Sequence, residues 1–185
     1  MNILVFGAQG SGKSTYARYI AEKLGLPYVC TGDLFRKLAG GDSPFGQEIK
    51  ERLDRGLMVP NPIVIKALKK YLSSLDLSKG IVLDGYPRNF AQARALTLKI
   101  DLLIYINLPE ELAIKRLLKR GRHDDTPESI KTRLDHYKKE TEPLLVFFKE
   151  KGTRVAEVDN SPPIKVVEKK IDDLLEKIGR DKNNR

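Results

Sequence analysis

Eight consecutive residues near the start of the chain, Gly7-Ala8-Gln9-Gly10-Ser11-Gly12-Lys13-Ser14, have the types and spacing needed to hold a chain of phosphates. They satisfy the pattern G-x-x-x-x-G-K-S/T at every fixed position. Gly7, Gly10 and Gly12 allow backbone conformations that a Cβ would forbid, so successive N–H groups can turn toward one anion. A helix that starts at the loop adds its positive dipole end. Lys13 places a point charge at the β and γ phosphates, and the Ser14 hydroxyl is a hard oxygen ligand suited to Mg2+. The motif by itself specifies phosphate binding and leaves the reaction open.

The flanking segments have to position that loop. Ile3-Leu4-Val5-Phe6 is an apolar run that reads as a buried strand beginning at Asn2. Ala17, Ile20, Ala21 and Leu24 recur at helical spacing after Ser14, and Gly25-Leu26-Pro27 ends that helix. Tyr28 to Thr31 reads as a second strand. Thr31-Gly32-Asp33 opens a helix through Leu38, and Gly40-Gly41-Asp42-Ser43-Pro44 forms a turn. Helices follow at Phe45 to Arg55 and Ile63 to Leu72. Residues 32–72 thus read as a helical insertion, a candidate mobile substrate-binding unit. The remaining core is 1–31 and 73–185.

Gly80 to Gly85 reads as strand three, with Asp84 at its C-terminal end, where ligands sit in an open parallel sheet. Asn89 caps a helix reaching Leu98. Leu102 to Leu108 is strand four. Pro109, at the first helical position, starts a helix to Arg120. After a turn at 121–125, Thr126 opens the longest helix, running past Phe148 to a stop at Lys151-Gly152. Val155 to Val158 is strand five. A last helix buries Ile164, Val167, Ile171, Leu174 and Ile178, and residues 181–185 are expected to fray. Alternating strands and helices predict a parallel sheet covered on both faces. Right-handed crossovers then bring the loops after strands one, three and four to one edge.

Phosphoryl transfer asks a protein mainly for in-line positioning and positive charge. Arg36, Arg88, Arg116, Arg120, Arg122 and Arg133 stand near the ends of elements that point at the loop. Arg88 and Gln92 are four apart and share a helix face, as do Arg116 and Arg120. Arg88 also follows a buried strand directly, in Asp84-Gly85-Tyr86-Pro87-Arg88.

Composition narrows the alternatives. The chain has 185 residues, 41% of them hydrophobic, enough for one domain with a real core. One cysteine, Cys30, excludes an internal disulfide and reads as a small core residue. Two histidines, His123 and His136, are too few for a histidine metal site. No apolar run reaches the roughly 18 residues of a membrane span, and no signal-peptide layout is present, so a cytoplasmic protein is expected. A net charge of +9 permits a nucleic-acid partner, but arginines committed to phosphates and charge spread along helix faces make that partner the lesser expectation. No long exposed apolar stripe stands out, so a monomer is expected.

Thr31-Gly32-Asp33, Asp84-Gly85-Tyr86-Pro87-Arg88, Gln92-Ala93, Arg122-His123-Asp124-Asp125, Arg133-Leu134, Tyr137, Thr141 and Pro143 together resemble the adenylate kinase family, in the family's order over about residues 1–175. The resemblance implies a P-loop NTPase fold of the α/β class, with a five-stranded parallel sheet in the order 2-3-1-4-5 and helices on both faces. It implies that Gly10, Ser11, Gly12, Lys13, Ser14, Thr15 and Arg120 bind ATP, with Arg116 on the donor adenine. Arg36 and Arg88 would clamp the acceptor phosphate, beside Thr31, Val59, Gly85 and Gln92. Arg120, Arg122 and Arg133 would surround the transferred group, oriented by Asp124 and Asp125. Ser14 and Asp84, the latter through water, would hold Mg2+. Thr31 and Gln92 favour AMP as acceptor, Gln92 having one donor and one acceptor for an adenine edge. A kinase for CMP, UMP or another small acceptor stays open, as does a nucleotide-binding factor acting in RNA or ribosome assembly.

Three positions depart from the family pattern. Ser14 stands where glycine is common, Gln9 replaces a usual proline, and the lid at 121–125 is vestigial, with Gly121 alone between Arg120 and Arg122. A lid excludes water from the transferred group. This chain is therefore expected to hydrolyse ATP without acceptor faster than a long-lid relative. Phosphate release measured side by side without AMP checks this, and equal or slower release would refute it.

Overall fold

The strands are apolar on both faces, so the sheet they form must be covered twice. In β1 (Asn2–Phe6), Leu4 and Phe6 enter one core while Ile3 and Val5 enter another, as the two-residue period of a strand requires. The same division runs through β3 (Ile81–Asp84) and β4 (Leu102–Asn107), which flank β1. β2 (Tyr28–Cys30) and β5 (Arg154–Asp159) close the edges. All neighbours are parallel, in the order β2-β3-β1-β4-β5. The computed structural model describes residues 1–41 and 43–183.

Helices α1 (Lys13–Leu24) and α9 (Ile164–Asn183) cover the Ile3 face through Ala17, Ile20, Val167 and Ile171, all fully buried. The Leu4 face is covered by α2 (Thr31–Ala39), α3 (Pro44–Asp54), α4 (Asn61–Leu72), α5 (Phe90–Ala95) and α8 (Leu144–Glu150). α6 (Glu110–Arg120) and α7 (Pro127–His136) pack on each other through Leu117, Ile130 and Leu134. Ser43, Asn89 and Thr126 cap α3, α5 and α7 with side-chain oxygens. No helix among the described residues is long and apolar enough to cross a membrane.

Several sequence expectations need correction. The single long helix from Thr126 is divided. A π-helical turn at Tyr137–Thr141, with Glu142 N–H on the Tyr137 carbonyl, separates α7 from α8. Pro143 follows at once, and proline cannot donate to the preceding turn. The longest helix among the described residues is α9, at Ile164–Asn183. Ile164, expected in its core face, is 51% exposed. Pro109 caps α6 instead of beginning it, and α5 ends at Ala95, short of Leu98. Asp42, in the expected turn, and residues 184 and 185 of the tail lie outside the described residues.

Leu103, between β1 and β5 and 0% exposed, tests the core. Leu103→Ala is expected to cost about 2–5 kcal/mol in a denaturant titration. Val146→Ala, at a side chain 60% exposed, should change stability by no more than about 0.5 kcal/mol.

Candidate active site

Parallel strands deliver their C-terminal ends to one edge, and the candidate residues gather there. The loop after β1 turns through Gly10 at φ 83° and Gly12 at φ 88°, in the left-handed region. A Cβ on Gly10 would lie 2.4 Å from the Ala113 carbonyl oxygen, so α6 can approach the loop only because that position is glycine. Lys13 Nζ lies 3.4 Å from the Ala8 carbonyl oxygen. Burial lowers the Lys13 pKa, with nearby Asp84 acting in the opposite direction.

One cleft is lined by Gly10, Lys13, Ser14, Arg36, Asp84, Gly85, Arg88, Arg120, Arg122, Asp124 and Arg133. A second, adjoining pocket is lined by Thr31, Val59, Gly85, Arg88 and Gln92, with Phe35, Met58 and Val64 supplying apolar walls. Arg88 borders both, at the junction of a polar cleft with an apolar one. Thr15 is exposed and lines neither, and Arg116 instead donates from Nη2 to the Asn160 carbonyl at 3.0 Å.

Each arginine is aimed differently. Arg88 Nε donates to the Gly85 carbonyl at 2.8 Å, its backbone N–H donates to Gln92 Oε1 at 2.8 Å, and its carbonyl accepts from Thr141 Oγ1 at 2.8 Å. The burial of Arg88 lowers its pKa, again against Asp84. Arg120 grips Asp125 with Nε and Nη2, both at 2.8 Å, a bidentate pair. Arg133 Nη2 reaches Asp125 Oδ1 at 2.8 Å, and Nη1 reaches Asp124 Oδ2 at 3.3 Å. Arg122 shares only its backbone N–H with Asp125, at 3.3 Å. The two aspartates therefore aim Arg120 and Arg133, while the Arg122 guanidinium is not held by them. Arg36 is paired with Asp33.

Gln92 is buried, with Oε1 taken by Arg88 and Nε2 donating to Asn61 Oδ1 at 2.9 Å. Asn61 also accepts from Asn89 Nδ2 at 2.9 Å, so it ties α4 to α5. Cys30 is corrected from core residue to half-buried wall of the main cleft, where burial raises its thiol pKa. His136 lines the same cleft. His123 is exposed and meets Asp54 of α3 at 2.8 Å, linking the 121–125 turn to the insertion. Sequence reasoning assigned no place in the site to Met58, Asn61 or Asn160, and it used Tyr137 and Thr141 only as marks of the family resemblance. Asn160 is the first residue beyond β5, and no pattern in the sequence marked it.

Asp84 is the candidate cation ligand. It is 1% exposed, its Oδ2 accepts from Tyr28 at 3.0 Å, and its Oδ1 is buried without a partner. An orphaned carboxylate oxygen in the same cleft as the Ser14 hydroxyl is a hard donor set suited to Mg2+.

Asp125 connects electrostatics to stability. Burial by itself would raise its pKa, but hydrogen bonds from Arg120 and Arg133 outweigh burial and bring it down to about 2. A depressed folded-state pKa contributes stability that is complete above the unfolded value, about 3.9, and is lost as pH falls through the folded value. Acid denaturation curves of the native chain should therefore lose stability between about pH 4 and pH 2, and Asp125→Asn should lack that part of the loss. An unchanged acid limb in the variant would show that Asp125 does not carry it.

The adenylate kinase family profile matches residues 5–153. The chain is similar to an adenylate kinase of Cyanothece sp., 35% identical over 97% of this chain and 97% of that protein. It is 42% identical to an adenylate kinase of Prochlorococcus marinus, over 80% of this chain and 85% of that protein. An adenylate kinase of Archaeoglobus fulgidus is 34% identical, over 96% of this chain and 99% of that protein.

Proposed function

The chain belongs to the adenylate kinase family, and on that premise we propose that it transfers the terminal phosphoryl group of ATP reversibly to AMP, giving two ADP. The observation that carries this reading is the cleft itself. Lys13, Arg36, Arg88, Arg120, Arg122 and Arg133 line one cavity between a phosphate-binding loop and an apolar pocket of nucleobase character.

In this reading the loop and Lys13 hold the donor phosphates, with Gly10, Ser11, Gly12, Ser14 and Thr15 as the rest of the cradle and Arg116 at the donor base. Thr31, Val59, Gly85 and Gln92 line the pocket that receives the acceptor base, Gln92 with one lone pair and one N–H beyond its bonds to Arg88 and Asn61, and Arg36 and Arg88 fix the acceptor phosphate. An oxygen of that phosphate attacks the γ-phosphorus as the bond to the β-bridging oxygen breaks. No proton has to move at the reacting oxygen, so the protein needs no general base. Its contribution is alignment and charge stabilisation. Arg120, Arg122 and Arg133 supply positive charge around the transferred group. Ser14 and Asp84 would hold Mg2+, Asp84 through water, and the ion would supply positive charge against the polyphosphate.

The helical insertion, 32–72, acts as the acceptor-binding unit on a core of 1–31 and 73–185, with 121–125 as a vestigial lid. The His123–Asp54 contact supports a closed arrangement of turn and insertion. The enzyme works as a monomer in the cytoplasm. Among the described residues, its exposed large apolar side chains are spread over α3, α4, α5, α6, α8 and α9, with no more than two on any one helix, which supports the monomer.

A coupled assay with ATP, Mg2+ and each of AMP, CMP, UMP and GMP tests the reading. Rapid ADP formation with AMP alone is expected, and Arg88→Met should lower kcat/KM for AMP by about 100-fold or more. ADP formation that ignores every acceptor, or prefers another monophosphate, would overturn it.

A further inference from the structure

Asn160 has no counterpart in the roles assigned above, yet every polar group it owns is committed toward the donor loop or its supports. It is the first residue after β5 and is 3% exposed. Its backbone N–H donates to the Asn107 carbonyl at the end of β4, at 2.9 Å. Its carbonyl accepts from Arg116 Nη2. Its side-chain Nδ2 donates to the Ser11 carbonyl at 2.6 Å, and its Oδ1 accepts from Tyr16 OH at 2.5 Å.

The Ser11 bond is the informative one. A peptide unit is planar and trans, so its C=O and the next N–H point in opposite directions. Holding the Ser11 carbonyl toward Asn160 therefore holds the Gly12 N–H away from Asn160. A loop that binds an anion through N–H groups must keep its carbonyl dipoles turned outward. The approach is close: a Cβ on Gly12 would stand 2.5 Å from Asn160 Nδ2. Glycine at position 12 thus serves the amide as well as the backbone conformation. Tyr16, in the first turns of α1 and 1% exposed, donates to Oδ1 and so leaves Nδ2 for Ser11. The tyrosine sets which way round the amide sits.

We propose that Asn160 is a positioning residue for the donor nucleotide: its side chain orients the Ser11–Gly12 peptide, and so sets affinity for the polyphosphate while leaving acceptor affinity alone. This rests on reading the glycine loop as the donor site. Asn160→Asp places a carboxylate against the Ser11 carbonyl, where neither group can donate, and adds negative charge behind the loop. Asn160→Ala removes the tether without repulsion. Tyr16→Phe leaves the amide in place but frees its orientation.

The test is calorimetric titration of the intact chain and its three variants with MgATP, with inorganic tripolyphosphate alone and with AMP, alongside thermal melts. Expected is a loss of MgATP affinity of about 30-fold or more for Asn160→Asp, about 10-fold for Asn160→Ala and about 3-fold for Tyr16→Phe. Tripolyphosphate should lose affinity by the same factors, and AMP should stay within about twofold. The order Asp, Ala, Phe is a second signature, which Asn160→Ala and Tyr16→Phe still carry if Asn160→Asp does not fold. Loss of MgATP and AMP affinity together, or tripolyphosphate binding insensitive to Asn160, would overturn the proposal. Because these are binding measurements, a native chain that binds MgATP with this dependence but transfers nothing to AMP would refute the proposed reaction and leave the role of Asn160 standing.

Discussion

Six cations share one cleft, and keeping like charges that close is the constraint the surrounding structure answers. Full neutralisation by carboxylates would defeat the purpose, because a neutral cleft has no pull on a phosphate. The chain uses two devices instead. Arg88 and Lys13 are held against neutral carbonyl oxygens of Gly85 and Ala8, which orient a cation without cancelling its charge. Arg120 and Arg133 are gripped by Asp124 and Asp125, so two carboxylates fix two guanidinium groups. The lowered pKa values of Lys13 and Arg88 register the burial that remains uncompensated.

The scaffold serves this by bringing distant segments to one sheet edge. The loop follows β1, Asp84 ends β3, and Asn160 follows β5, in the parallel order β2-β3-β1-β4-β5. The π-helical turn belongs to the same arrangement. With i→i+5 bonding it carries Tyr137 and Thr141 to the cleft, and Thr141 fixes the carbonyl of Arg88, 53 residues away in sequence.

What the sequence discloses and what it conceals divide along one physical line. The glycine loop, the strand periods and the buried strand before Arg88 are local patterns, and all of them appear in the structure. The sheet order came from the family resemblance, and local spacing contains no trace of it. Long-range hydrogen bonding was hidden. Gln92 looks like a helix residue at four-residue spacing from Arg88, but the structure buries it and spends its amide on Arg88 and Asn61. The break after α7 was signalled only by Pro143, too weakly against a clean apolar period. Cys30 ends a three-residue strand in which only the middle residue, Val29, is buried, so the short apolar run misled. Asn160 has no local signature, since its meaning lies in Ser11 and Tyr16, more than 140 residues upstream.

Gly121 is where this architecture can lengthen. It closes α6 at φ 64°, and among the described residues nothing beyond its chain neighbours and its own helix backbone approaches within 4 Å of where a side chain would begin. The residues that grip the arginines lie just beyond it, anchored to α7 by Ser129 and Arg133. A segment of any size spliced at this point would leave those anchors in place and project into open solvent. The length of the connection between α6 and α7 is thus decoupled from the contacts that aim the arginines, because the junction at Gly121 carries none of them.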